Sequence, residues 1–385
     1  MRIVYAGQPF PDAWTMAVFL AGPTPRLPEV PSWRPEALDL LATAGFHGVV
    51  FVPETADGER APEYDDQVEW ERQGLNFADR ILFWVPRDLQ TMPAFTTNVE
   101  FGRWCTSGKV VLGYPATAPK NKYLAWLGRV EAGVSLHHTL ADTVAAALHE
   151  GEAQVERRGG ERHVPLHVWK TEAFQAWYRQ LCQAGHRLDE ARVCWMFSPR
   201  GRGIFAWVLR VRVWLACEQR HKENEWILGR PDIACAVLYH RPSGASLLDT
   251  RVVLVREFRS AARTPDGFVH ELPGGSSWQT GVSPIQVACA EVEEETCLRI
   301  APERLRPLGS RQFAATLSTH HAHVFAAELT AEEMSRAECL ADALTVAGVA
   351  ADSERTVVEV ATVRDILQNE LTDWATAGMV MRALL

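Results

Sequence analysis

Three glutamates, Glu291, Glu294 and Glu295, recur at i, i+3 and i+4 in the second half of a 385-residue chain. On a helix that spacing puts the carboxylates on one face, where like charges repel unless something neutralises them. A hard divalent cation with oxygen ligands would do so, and such a metal could polarise a phosphate and activate water. A solvated acidic helix face has the same spacing, so the glutamates alone leave both readings open. Just upstream, Ser283, Pro284 and Gln286 form an N-cap, a first-turn proline and a capping-box partner, which predicts a helix running to about Thr296. Gly274 and Gly275 stand between a strand-like stretch and that helix, where bare backbone can approach a phosphate.

A second constellation lies near the start. The apolar run Val18-Phe19-Leu20-Ala21 ends in Gly22-Pro23-Thr24-Pro25-Arg26, a tight turn with free N–H groups and a basic side chain. In open α/β sheets ligands bind at that end of a strand, so Gly22, Pro23, Thr24 and Arg26 are candidate substrate contacts. Asp79 begins a later strand region and Glu100 sits in the first turn of a helix after Thr97, so the two carboxylates could meet in one crevice. Structural roles compete: Thr97-Asn98-Val99-Glu100 also reads as a capping box, and Asp79 as a strand-terminal turn residue. Asn98, Asp65 and Asp66 are further polar candidates. Trp33, Trp70 and Trp84 could stack on a base, although packing is the commoner fate of tryptophan.

The elements that must position these residues can be read from periodicity. Short apolar runs at Ala17–Ala21, Gly48–Val52, Arg80–Val85 and Lys109–Gly113 alternate with helical spacing over Pro35–Ala44, Asp65–Ala78, Asn98–Thr106 and Leu140–His149. That alternation predicts a small doubly wound α/β domain over residues 1–150 with four or five parallel strands. The polar stretch EGEAQVERRGGER, from Glu150 to Arg162, reads as a linker or surface crossing, with the linker bounded at 151–165. Beyond it, runs such as Ile204–Leu215, Asp232–Tyr239 and Arg251–Val255, with a turn at Leu247–Asp249, predict an α+β domain with a mixed sheet over 166–385. His320, His321 and His323 form a cluster that a strand would split between two faces, which suits a substrate loop better than a metal.

Composition narrows the function. With 47% hydrophobic and 23% charged residues, the chain is of the globular class. A net charge of −9 argues against a nucleic-acid polymer as partner, since backbone phosphates demand a basic stripe. Eight scattered cysteines without a C-x-x-C pair indicate neither a zinc site nor a disulfide framework. The early apolar runs are too short for a signal segment or membrane span, so a cytoplasmic protein with no membrane partner is expected.

Several motifs resemble known families. FLAGPTPR, SWRPEAL, GFHGVVFVPE, DDQVEWERQGLNFADRILFWVPRD and TTNVEFGRW, in order from residue 19 to 104, resemble the nucleoside 2-deoxyribosyltransferase-like family over residues 17 to about 130. That resemblance implies that Glu100 is the nucleophile toward the anomeric carbon of a (deoxy)ribosyl group and that Asp79 handles the proton on the base. It departs at Phe19, where relatives carry Tyr, and at Ala94, where an acidic residue is usual. Relatives also commonly assemble with sites near subunit contacts, so a homo-oligomer is an expectation.

ELPGGSSWQTGVSPIQVACAEVEEETCLRI at 271–300 resembles the Nudix box, and VLVREFR at 253–259 its approach strand. This likeness, over roughly 200–385, implies an α/β/α sandwich of the ADP-sugar branch with Glu291, Glu294 and Glu295 holding Mg2+ or Mn2+, Glu294 among the catalytic groups, and Gly274 and Gly275 at the substrate. Val282, Ala290 and Cys297 depart from the box, and Glu354 is a candidate base. Together the two resemblances imply a bifunctional nucleotide-processing enzyme acting on a nucleoside or nucleotide, the alternative being a nucleotide-binding sensor or scaffold.

Overall fold

The computed structural model describes residues 1–56, 64–199, 203–277, 281–348 and 355–385. It divides into two compact units, Met1–Leu228 and Gly229–Leu385. Glu354 lies outside the described residues.

The first unit is built on strands whose apolar runs leave no face for water. β1 (Arg2–Tyr5) precedes the two-residue β2 (Ala13–Trp14), then β3 (Ala17–Ala21), β4 (Val49–Val52), β5 (Arg80–Trp84), β6 (Val110–Gly113) and β7 (Leu136–His137). All residues of β3, β4, β5 and β6 are buried, as expected of parallel strands covered on both faces. They form a six-stranded parallel sheet in the order β1-β4-β3-β5-β6-β7.

Five helices wind about this sheet: α1 (Arg34–Thr43), α2 (Tyr64–Phe77), α3 (Phe95–Trp104), α4 (Lys122–Glu131) and α5 (Leu140–Leu148). One core joins alternate strand residues to Ala37 and Leu41 of α1 and Val144 of α5. The other joins the opposite strand faces to Trp70 of α2, Phe101 of α3 and Leu124 of α4. The architecture is doubly wound. From β3 the chain turns toward β4, and from β5 it turns the other way toward β6, so the sheet's switch point lies between β3 and β5.

The stretch expected as a linker belongs to this unit. β8 (Arg157–Arg158) pairs with β2, and Arg157 is wholly buried. α6 (Leu166–Trp169), α7 (Glu172–Gln183) and the antiparallel strands β9 (Arg187–Phe197), β10 (Ala206–Leu215) and β11 (Arg220–Gly229) follow. Phe174 of α7 and Trp207, Leu209 and Val211 of β10 complete the first core. The Ile204–Leu215 run therefore packs with the first unit, and the division falls near residue 228 instead of 150.

The second unit is a mixed sheet: β12 (Ile233–His240), β13 (Arg251–Phe258), β14 (Phe268–Glu271), β15 (Gly274–Gly275), β16 (Arg306–Gln312), β17 (His321–Glu328), β18 (Val346–Ala347) and β19 (Thr356–Thr362). β12 and β17 run parallel, whereas the other ladders are antiparallel. α8 (Pro284–Thr296) and α9 (Ala331–Asp342) cover one face, α10 (Val363–Gln368) and α11 (Trp374–Leu384) the other, giving an α/β/α sandwich. α8 begins where the sequence predicts, with the Ser283–Gln286 capping box in place. Leu247–Asp249 forms a 3-10 turn between β12 and β13. Among the described residues no helix is long and apolar enough to cross a membrane.

Candidate functional site

The loops after β3, β4 and β5 meet at the switch point, where an open parallel sheet offers a crevice. The β3 turn is held tightly: a Cβ on Gly22 would come within 2.2 Å of the Trp84 carbonyl oxygen, so only glycine fits between β3 and β5 there. The Arg26 amide donates to the Thr91 carbonyl at 3.0 Å, and its guanidinium stands 5.9 Å from the Phe95 ring centre.

Arg34, at the start of α1, organises the crevice. It is 1% exposed and donates to Leu20 O at 3.2 Å, Gly22 O at 2.8 Å, Thr24 Oγ1 at 3.1 Å and Glu54 Oε1. Ser32 Oγ donates to both Glu54 oxygens, at 3.0 and 2.9 Å. Trp33 Nε1 donates to Pro23 O at 3.1 Å. Gly22, Pro23 and Thr24 thus spend these oxygens on positioning the turn.

Glu100 faces this buried cation from α3, and Glu71 faces it from α2. Burial first, then the charge of Glu71, push the Glu100 carboxyl up to about 7, against the pull of Arg34. Burial also raises Glu71, opposed by a hydrogen bond from Gln67 Nε2 at 2.9 Å and by Arg34. Two half-buried carboxyls in one field do not ionise together readily, so the pair retains a proton closer to neutrality than an exposed pair would.

Residues 15–117 match the family described as nucleoside 2-deoxyribosyltransferase like. No curated protein matches the chain. This nucleoside 2-deoxyribosyltransferase-like domain covers β3 to β6 and contains Arg34, Glu54, Glu71 and Glu100, and it supports a nucleoside-related transferase or glycosidase role for the first unit.

Several sequence expectations need correction within the domain. Asp79 does not approach the crevice. It sits before β5, at the opposite end of the strand, roughly 15 Å away at about 3.3 Å per residue. Its carboxylate accepts from Ala17 N and Leu166 N, both at 2.8 Å, and pairs with Arg157. Glu100 is not a capping-box residue either: α3 starts at Phe95, after Ala94 in a left-handed conformation, which places Thr97 and Glu100 inside the helix. Asn98 uses Oδ1 to accept from Arg87 Nη2 at 2.6 Å, and Arg87 is further held by Asn121 and Pro93 O. Trp33, Trp70 and Trp84 are all buried, and Trp70 stacks on Phe10 at 5.2 Å.

Arg34, Glu54 and Glu71 were not singled out by sequence. Two carried a signal. A cation in the first turn of a helix opposes the helix dipole, so Arg34 needs another reason to be there. Glu71 shares the i, i+4, i+7 line with buried Leu75 and Ala78, a charge on an apolar stripe. A cavity of about 620 Å3 opens elsewhere, against Arg80, Gly108, His137 and Glu150. It lacks the coupled carboxyls, and the chemistry therefore points to the crevice.

In the second unit the glutamates of α8 divide. Glu295 is 2% exposed and accepts from Gly274 N at 2.8 Å. Glu291 lies against Gly275, where a Cβ would meet its carboxylate at 2.4 Å. Glu294 is exposed. Nearby, Arg259 pairs with Glu257 at 2.8 Å and Glu271 at 2.9 Å, and Arg230 Nη2 donates to Ser276 Oγ at 3.0 Å. Asp232 accepts from His321 N at 2.8 Å and contacts His323 Nε2 at 3.2 Å, whereas His320 Nδ1 meets Ser318 Oγ. The three histidines do not converge. Among the described residues no group of three or more His, Cys, Asp or Glu is placed to hold a metal ion.

Proposed function

We propose that the first unit cleaves or transfers at the N-glycosidic bond of a nucleoside or nucleotide. The observation that carries this is the Glu71–Glu100 pair beside buried Arg34 at the carboxyl edge of β3 and β5. Ionised Glu100 attacks the sugar C1′, or stabilises its oxocarbenium character, and the departing base takes up a proton from water. Water or a second base then accepts the sugar, its proton passing to solvent and Glu100 leaving as the free carboxylate. Arg34 keeps the β3 turn in register and lends positive field to the ionised carboxylate. The test is base release from nucleosides and nucleoside monophosphates, followed by chromatography. Release that disappears in Glu100→Ala supports the reading, and no release from any substrate sinks it.

We propose a second role for the Gly229–Leu385 unit: a Nudix-like module that binds the diphosphate portion of a nucleotide. The Gly274–Glu295 hydrogen bond and the Glu291–Gly275 contact support the likeness, and Arg230, Ser276 and Arg259 offer donors to an anion. Mg2+ or Mn2+ belongs to the hydrolytic version of this reading, in which Glu291, Glu294 and Glu295 would be its ligands. Calorimetry with ADP-ribose, with and without manganese, combined with product analysis, separates the versions. Binding without turnover fits a module, and manganese-dependent hydrolysis lost in Glu295→Gln replaces it with a bifunctional enzyme.

A further inference from the structure

α3 carries Glu100, yet its start lacks the devices that usually fix a helix end. Ala94, at the N-cap position, is left-handed at φ 59° and gives no side-chain cap, and no acidic residue occupies the first turn. A non-glycine residue keeps that conformation only when its surroundings impose it. Arg87 imposes it from below the helix start. Its Nη1 donates to Pro93 O at 2.7 Å, immediately before Ala94, and its Nη2 to Asn98 Oδ1 at 2.6 Å, one turn beyond Ala94. The guanidinium thus grips both ends of the first turn, two residues short of Glu100.

Its remaining edge is tied to the sheet and to α4. Nε donates to Asn121 Oδ1 at 2.9 Å, and Asn121 Nδ2 donates to Val85 O at 3.0 Å, just past the end of β5. Asn121 stands at the N-cap position of α4, where asparagine ordinarily caps its own helix. It makes no such bond, and its amide serves Arg87 and Val85 instead. Arg87 is 6% exposed, these three acceptors are neutral, and burial pulls its guanidinium down. A buried cation held only by neutral groups is costly, so it needs a role that an apolar side chain cannot fill. The planar fork fills one: it fixes β5, α3 and α4 in a single geometry.

We propose that Arg87 is a positioning residue that holds Glu100 in the crevice by clamping the first turn of α3 to the ends of β5 and α4. Its kinetic consequence rests on the glycosidic reading of that crevice, whereas its structural consequence does not. The test uses the full chain with Arg87→Met, Asn98→Ala and the double variant. Carbon NMR of the Glu100 carboxyl comes first, because it needs no turnover. Burial and Glu71 raise that carboxyl against the pull of Arg34, so a first turn that slips exposes it, and each folded variant should titrate lower than wild type by about one pH unit or more. A role confined to stability leaves the folded protein's titration unmoved. In base release, kcat and kcat/KM should fall together by about tenfold to a hundredfold. The double variant should fall no further than Arg87→Met, since both substitutions break one clamp. Arg87→Lys, which keeps the charge without the fork, should not restore the rate. Asn98→Ala changes a half-buried site and leaves Arg87 two acceptors, so it decides the matter even where Arg87→Met does not fold. A wild-type Glu100 titration in Asn98→Ala overturns the proposal, as does a multiplicative loss in the double variant or full recovery in Arg87→Lys. A shifted titration with no base release from the wild type sinks the glycosidic reading and leaves the clamp standing.

Discussion

Asp79 and Arg157 form an ion pair with both side chains fully buried, although 78 residues separate them in sequence. The pair ties the segment after α5 to the start of β5, and Arg157 also donates to Val164 O at 2.6 Å. Removing one partner strands the other charge away from water. Asp79→Ala should lower unfolding stability by about 3–5 kcal/mol, measured by urea denaturation. Replacing both partners with apolar residues should be milder. A fully stable Asp79→Ala that had lost only base release would return Asp79 to catalysis.

Glu100 should set the acid limb of activity. With its carboxyl near 7, kcat/KM should fall about tenfold per pH unit below that value. Glu71→Gln removes the second-largest cause of the upward shift, so it should move the limb to lower pH while slowing the reaction. The linkage runs the same way. Because the folded carboxyl is raised, Glu100 contributes stability below about 4.5, the ordinary value, which is lost as pH rises through about 7. Thermal midpoints of wild type and Glu100→Gln across that window should diverge as pH rises, the variant holding its stability.

The sequence made β3 readable to the residue, because a fully buried parallel strand is an uninterrupted apolar run. It misplaced the start of α3, since Ala94 enters the helix in a left-handed conformation without a side-chain cap. The 151–165 segment read as a linker because its polarity is local, whereas Arg157's partner is distant. The same limit hid Glu54, whose role is visible only once Ser32 and Arg34 are folded around it. In α8 the capping box was legible because all its parts lie within four residues. The split among its glutamates depends on where Gly274 and Gly275 arrive.

Lys109 makes a separate prediction. It is buried beneath α2, donating to Leu75 O at 3.3 Å and Asn76 O at 2.7 Å, with Trp104 at 5.1 Å. Burial pulls its ammonium down to about 7, with Asp79 opposing and Arg157 adding to the fall. Between about 7 and 10.5 the unfolded chain therefore holds more protons at this site, and stability should rise with pH by an amount on the order of a few kcal/mol. Comparing wild type with Lys109→Met in urea melts isolates the effect. An identical pH dependence in the two proteins would mean that Lys109 keeps its ordinary affinity for the proton.

Arg34→Lys offers a sharp test of the crevice. A lysine keeps the positive charge but cannot reproduce the guanidinium's planar set of donors to Leu20 O, Gly22 O, Thr24 Oγ1 and Glu54. At least one of these acceptors should lose its partner, costing about 1–3 kcal/mol, and the β3 turn should loosen around Gly22. Catalysis should suffer beyond the stability loss, because the field on Glu100 then comes from a mobile ammonium. The expected signature is kcat/KM lower by about tenfold to a hundredfold under conditions where the variant is fully folded, with the acid limb displaced from its wild-type position. A folded variant with wild-type kcat/KM would show that Arg34 supports the turn without contributing to the chemistry, and Glu71 and Glu100 would then have to act without it.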